Sequence, residues 1–151
     1  MRILRGWVAL LLLAFMGAAA AQQPAVNSAD ARAIESVIRG QLAAFAADDA
    51  AKAFSYAAPG IRRTFGTADN FLHMVRVSYP VVYRPAAVLF LKAEAADGEV
   101  LQPVQMTDRD GQLWIALYSM QRQRDGKWLT GGCRLLHSEA KVTLGPAAIS
   151  I

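Results

Sequence analysis

Apolar positions recur along this chain with two periods, and the change between them falls at Pro85. In "ADARAIESVIRGQLAAFAA", Ile34, Val37, Ile38, Leu42 and Phe45 fall at steps of three and four, which makes one stripe of a helix. Arg32, Glu35 and Arg39 occupy another face, and Glu35 precedes Arg39 by four residues, the order that supports a solvated face. Ser28 or Asp30 is expected to cap this helix. Asp48 and Asp49 precede a second helix, "AAKAFSYAA", whose free N–H groups would donate to a carboxylate placed there; Pro59-Gly60 stops it. "IRRTFG" reads as a short turn or helical piece. Thr67 or Asp69 caps a third helix, "NFLHMVRVSY", with Phe71, Met74, Val75 and Ser78 on one side, and Pro80 ends it.

Beyond Pro85 the period shortens. "AAVLFLKAEA", "EVLQPVQMT", "QLWIALYSMQR" and "KWLTGGCRLL" are each of strand length, separated by Asp97-Gly98, Asp110-Gly111 and Asp125-Gly126. Asp-Gly supplies the positive φ angles that tight hairpins need. Four antiparallel strands in a meander are therefore expected, with Pro103 marking a bulge or an edge position in the second. The third strand is apolar on both faces: Leu113, Ile115 and Leu117 on one, Trp114, Ala116, Tyr118 and Met120 on the other. A sheet with one wet face would alternate instead. Helices can cover one face; the other calls for a partner subunit, the C-terminal tail or tight curvature. "SEAKVTLGPAAISI" would add an edge strand at Lys141 to Leu144. The pattern as a whole predicts an α+β fold, three N-terminal helices packed on a curved four-stranded antiparallel sheet.

The first 21 residues stand apart. Arg2 and Arg5 precede an apolar run from Trp7 to Met16, and Ala19-Ala20-Ala21 follow. This is the layout of a secretory signal cut before Gln22. A membrane span needs about 20 apolar residues, more than this run supplies. Residues 1–21 are thus expected to be a signal peptide, 22–29 a mobile lead, 30–138 the folded domain and 139–151 a tail. The protein would then be secreted, to a bacterial periplasm.

Without the leader, the chain keeps 14 basic and 12 acidic residues, a net charge of +2 rather than +4. The basic residues are dispersed, whereas nucleic-acid binders gather them on one face. No nucleic-acid partner and no membrane span after signal removal are expected. Cys133 is the sole cysteine, so it has no internal disulfide partner.

Cys133 and His137 lie four residues apart in "GGCRLLH". On a strand that spacing is about 13 Å, too far for a hydrogen bond, and Gly131-Gly132 disfavours the helix that would bring them together. A strand cysteine is more often a small buried hydrophobe than a nucleophile. Two histidines and one cysteine at these spacings match no common zinc pattern. No metal or cofactor is expected.

The segments "QLAAFAADDAAKAFSYAAPGIRRTFG", "FLHMVRVSYPVVYRP", "QPVQM" and "ALYSMQRQRDGKWLTGGCRLL" resemble the bacterial domain-of-unknown-function family 4864. Tyr79-Pro80, Tyr83-Arg84-Pro85, Asp125-Gly126, Trp128 and Gly132-Cys133 carry the most specific part of the likeness. The family usually has an aliphatic residue where Thr130 stands. The resemblance implies the nuclear-transport-factor-two-like, cone-shaped α+β fold, with a pocket between helices and sheet. It implies no reaction.

Proton-transfer chemistry in such a cone needs an inward acid–base group and a polarising donor. His73, Tyr79, Tyr83 and Tyr118 are the candidates, and of these side-chain types only imidazole ordinarily changes charge in the neutral range. Each has a plainer role. The tyrosines can pack a helix-to-strand joint, Arg84 can bind an anion or pair with an acid, and His73 can face water. With no inward carboxylate in view, the expectation is a non-enzymatic binding or interaction domain. It would use Tyr79, Tyr83, Arg84 and Tyr118 for a small apolar ligand, or form a homodimer through the outer sheet face. The alternative is a small isomerase or hydrolase using His73, with Cys133 as a further candidate.

Overall fold

The structure, a computed structural model, describes residues 25–141. The expected leader, residues 22–24 of the lead and the tail beyond residue 141 lie outside the described residues.

Helix α1 (Ser28–Ala46) buries Ile34, Ile38, Leu42 and Phe45, the stripe its periodicity predicts. Ile34 and Ile38 are wholly enclosed, a burial that stabilises by roughly 1.5–3 kcal/mol per side chain. The cap is Asn27, one residue ahead of the expected Ser28 or Asp30; its side chain accepts from Asp30 N. Half-buried Asp30 accepts from Trp128 Nε1 at 3.0 Å, which ties the start of α1 to the last strand. Arg39 pairs with Glu35 at 2.7 Å and lies over the Phe90 ring.

Helix α2 (Ala50–Ser55) is capped by Asp49, which accepts from Lys52 N. The "IRRTF" piece is helix α3 (Pro59–Phe65), and Thr67 caps α4 (Ala68–Ser78) through Asn70 N. Pro80 does more than end α4. It opens the single turn α5 (Pro80–Tyr83), because a proline fits the first helical position, where no N–H is needed.

Five strands form one open antiparallel sheet, and the helices pack on one of its faces, consistent with a cone-like α+β arrangement. The expected first strand is two pieces, β1 (Ala87–Phe90) and β2 (Glu94–Ala96), both paired to β3 (Glu99–Thr107). The break has a chemical cause. Pro103 has no N–H to return to Leu91, although Leu91 N donates to its carbonyl at 3.0 Å. The buried Gln102 side chain takes over, its Nε2 donating to Leu91 O at 2.7 Å. One extra residue is accommodated on the β1–β2 side, so the bulge expected near Pro103 lies in the neighbouring strand, and β3 itself is central.

Strand β4 (Gln112–Arg122) turns Ala116, Tyr118 and Met120 into the core. Leu113, Ile115 and Leu117 alternate with them and face outward. Across the outer face, Ile115 is in register with Gln105 and Leu89 on one side and Leu136 on the other; Leu89 and Leu136 are exposed. Strand β5 (Trp128–Lys141) is longer than expected and carries the pairing through to Lys141 opposite Gln112.

The three Asp-Gly turns differ in type. Asp97 and Gly98 both take positive φ, the two-residue form. The other two place only the glycine there: Asp108 N donates to Gln112 O and Gln123 N to Lys127 O, closing three-residue loops with Gly111 and Gly126 in the left-handed position. Among the described residues no helix is long and apolar enough to cross a membrane.

Candidate functional site

A cavity of about 240 Å³ lies between α1, α4 and the inner faces of β4 and β5. Its wall is aromatic. The Phe71 ring lies 5.7 Å from Phe45 and 5.5 Å from Phe65, and all three line the space. Half-buried Ile61, Phe65, Met74 and Tyr79 form its rim. Polar side chains gather on one side, Gln41 from α1 and Thr130, Tyr118 and Cys133 from the sheet.

A bulge in β5 assembles that polar side. Thr130 pairs with Met120, but Gly132 pairs with Ser119 and Cys133 with Tyr118, so Gly131 is the extra residue. A slip of one residue reverses which face a side chain takes. Thr130 and Cys133, three apart, therefore both line the cavity. A Cβ at Gly131 would stand 2.8 Å from Gln121 Nε2, so a larger residue there would displace the Gln121 side chain. The glycine pair that argues against a helix in the sequence is thus the device that turns the thiol inward.

Thr130 also anchors the chain between α2 and α3. Its N–H donates to Tyr56 O at 2.8 Å, and its carbonyl accepts from Ala58 N at 2.9 Å, a one-residue parallel bridge. Its hydroxyl donates to Gln41 Oε1 at 3.1 Å, while Gln41 Nε2 donates to Ala53 O. These buried groups satisfy one another, so the Thr130 hydroxyl is accommodated in the core. Gly40 on α1 leaves room for Tyr56, since a Cβ there would collide with its hydroxyl.

Tyr118 is different. It is 1% exposed, and its hydroxyl has no hydrogen-bond partner among the described residues. The Cys133 thiol is its polar neighbour across the strands, but the pair does not meet hydrogen-bond geometry. Burial raises the Tyr118 phenol well above its ordinary range, and burial pushes the Cys133 thiol up to about 12. Cys133 is therefore a protonated thiol at neutral pH, and a thiol in that state is a poor nucleophile.

The other predicted residues lie elsewhere. His73 is exposed on α4 and does not line the cavity. Tyr79 does line it; its hydroxyl donates to Cys133 O at 3.4 Å, a long bond. Tyr83 and Arg84 are not in this cavity but on the edge of a wider cleft towards the β3–β4 turn. Both are engaged by Asp48, which is no helix cap. Asp48 takes a positive φ of 56° at the α1–α2 corner and accepts from Tyr83 Oη, from Arg76 at 2.9 Å and from Arg84 at 3.1 Å. The Tyr83 hydrogen bond, aided by Arg76 and Arg84, holds its carboxyl below the usual range. Arg84 thus has an internal acid as its partner. His137 is exposed and meets Trp114 edge-on at 4.7 Å; Trp114 Nε1 in turn donates to Asp108.

Sequence reasoning missed Gln41, Thr130 and the Phe65 wall. Gln41 did carry a signal, a polar residue set among Ile38, Leu42 and Phe45 on the apolar stripe. Among the described residues no group of three or more His, Cys, Asp or Glu is placed to hold a metal ion.

Fold and site together define an α+β domain with a small, mostly apolar cavity between its helical layer and its sheet. The family model described as Domain of unknown function (DUF4864) matches residues 27–143, and the chain belongs to that family. No curated protein and no solved structure matches it.

Proposed function

We propose that this is an exported, non-enzymatic binding domain that takes a small apolar molecule into the cavity between helices and sheet. The observation that carries the reading is the cavity: aromatic walls, a half-buried rim and a few polar side chains from α1 and the sheet. Ligand pockets combine apolar lining with few, fixed polar groups in this way. At about 240 Å³ it is under the roughly 300–1,000 Å³ of drug-sized sites, which suits a smaller ligand. Catalysis by proton transfer needs a group that titrates near the working pH. The lining offers no carboxylate and no imidazole, and its thiol stays protonated.

Incubation with a mixture of small neutral aromatics, followed by non-denaturing mass spectrometry, tests this. One adduct per chain is expected, lost when Ile61→Trp fills the rim; no adduct with any component would sink the reading.

Export rests on the basic, apolar and small-residue layout of residues 1–21, and secreted protein should begin at Gln22. The helix-on-sheet arrangement supports a place in the nuclear-transport-factor-two-like superfamily. The exposed Leu89 and Leu136, in line with Ile115 across the outer face, favour a homodimer through that face. Light scattering at high concentration should then report twice the chain mass, and a strictly monomeric result would remove the dimer.

A further inference from the structure

We infer that the cavity selects neutral molecules of about one ring in size that carry a hydrogen-bond-accepting oxygen, with the Tyr118 hydroxyl as the donor that holds it. This rests on the reading of the cavity as a ligand site and names the ligand class.

Size comes first. An apolar cavity of about 150 Å³ holds benzene. The space here is about 240 Å³, so roughly nine or ten non-hydrogen atoms fit by that proportion.

Charge comes second. None of the side chains lining the cavity is charged. An ion entering it would shed its hydration with no opposite charge to replace it, a penalty far above that of a neutral polar group. The two titratable groups facing each other there, Tyr118 and Cys133, are both held neutral by burial.

The donor comes third. Thr130 is committed to Gln41, Gln41 to Ala53, and Tyr79 to the Cys133 carbonyl. Among the described residues the Tyr118 hydroxyl is the one buried side-chain oxygen or nitrogen without a hydrogen-bond partner, and the residue is 1% exposed; the Cys133 thiol beside it is a much weaker donor. A buried donor left unpaired is costly, so natural sites rarely keep one without use. A ligand with an accepting oxygen would satisfy it, and a pure hydrocarbon would leave it orphaned.

Three probes separate the possibilities: acetophenone, its hydrocarbon counterpart isopropylbenzene, and benzoate, each titrated calorimetrically at pH 7 into the wild-type chain and into Tyr118→Phe. The substitution keeps the ring, and a thermal melt confirms that the variant is folded. Both neutral probes should bind the wild type. Tyr118→Phe should weaken acetophenone relative to isopropylbenzene by about 10-fold, the worth of one hydrogen bond, and benzoate should not bind. If the ratio of the two neutral affinities moves by less than about 2-fold, the accepting-oxygen inference falls while the ligand-site reading stands. Benzoate binding as tightly as acetophenone would overturn the neutral class. Failure of every probe to bind would overturn the ligand-site reading itself, and the inference with it.

Discussion

Replacing Tyr118 with phenylalanine removes one oxygen from the cavity wall and keeps the ring in the core. At most buried sites such a change loses about 1 kcal/mol, because the hydroxyl was bonded. The opposite sign is expected here. The side chain is 1% exposed and its hydroxyl has no partner among the described residues. Burying such a group uncompensated costs roughly 1–3 kcal/mol in mutational comparisons. Against that stands a slight growth of the cavity. An oxygen-sized void of about 20 Å³, at roughly 24 cal/mol per Å³, subtracts about 0.5 kcal/mol. Tyr118→Phe should therefore stabilise the ligand-free protein by roughly 0.5–2.5 kcal/mol, and each kcal/mol should raise Tm by about 4 °C in a domain of this size. Urea unfolding of protein refolded from denaturant, so that nothing bound is carried over, measures it. Tyr79→Phe is the comparison. Its hydroxyl makes a long 3.4 Å bond to Cys133 O, so its loss should destabilise slightly, by about 0.5 kcal/mol. If Tyr118→Phe instead weakens the fold by about 1 kcal/mol or more, the hydroxyl is bonded within the empty protein and is not held in reserve.

Thr130→Val keeps shape but deprives the buried Gln41 Oε1 of its donor, and equilibrium unfolding should show a loss of about 1–3 kcal/mol. Acid should destabilise the fold through its bonded carboxylates. Tyr83 lowers Asp48, Trp128 lowers Asp30 and Trp114 lowers Asp108, all from an ordinary value of 3.8. A depressed native value means stability that is present above the unfolded value and lost as pH falls through the native one. Thermal melts should accordingly weaken only below about pH 4, and less steeply in Asp48→Asn, whose neutral-pH stability should already be reduced. The half-buried Cys133 thiol, raised from 9.0 to about 12, should resist iodoacetamide in the native protein up to pH 10 and react normally in urea; rapid native alkylation at pH 8 would contradict the raised value.

Much of the fold was legible because it is written in local chemistry. The α1 stripe, the caps at Asp49 and Thr67 and the three Asp-Gly turns each depend on residues within one turn of one another. What was not legible depends on partners distant in sequence. Pro103 signalled a bulge, but only the pairing with Leu91 decides that the neighbouring strand bears it. Gly131-Gly132 disfavours a helix, yet its role in turning both Thr130 and Cys133 inward follows from a one-residue slip against β4. Asp48 looked like a cap beside Asp49, and its claim by Tyr83, Arg76 and Arg84 required α4 and α5 to fold back to it. Tyr118 was named as a candidate among four inward groups. That its hydroxyl is left over, while Tyr79 and Tyr83 are bonded, is a property of the packed state and of no local pattern.

Whether the cavity takes a ligand can be read at a methionine. Met74 lines it, whereas Met106 is fully buried in the core outside it. With carbon-13 in the methionine methyl groups, titration with acetophenone should move the Met74 signal and saturate at one equivalent, leaving Met106 in place. A Met74 signal that stays fixed throughout the titration would contradict a ligand site between helices and sheet.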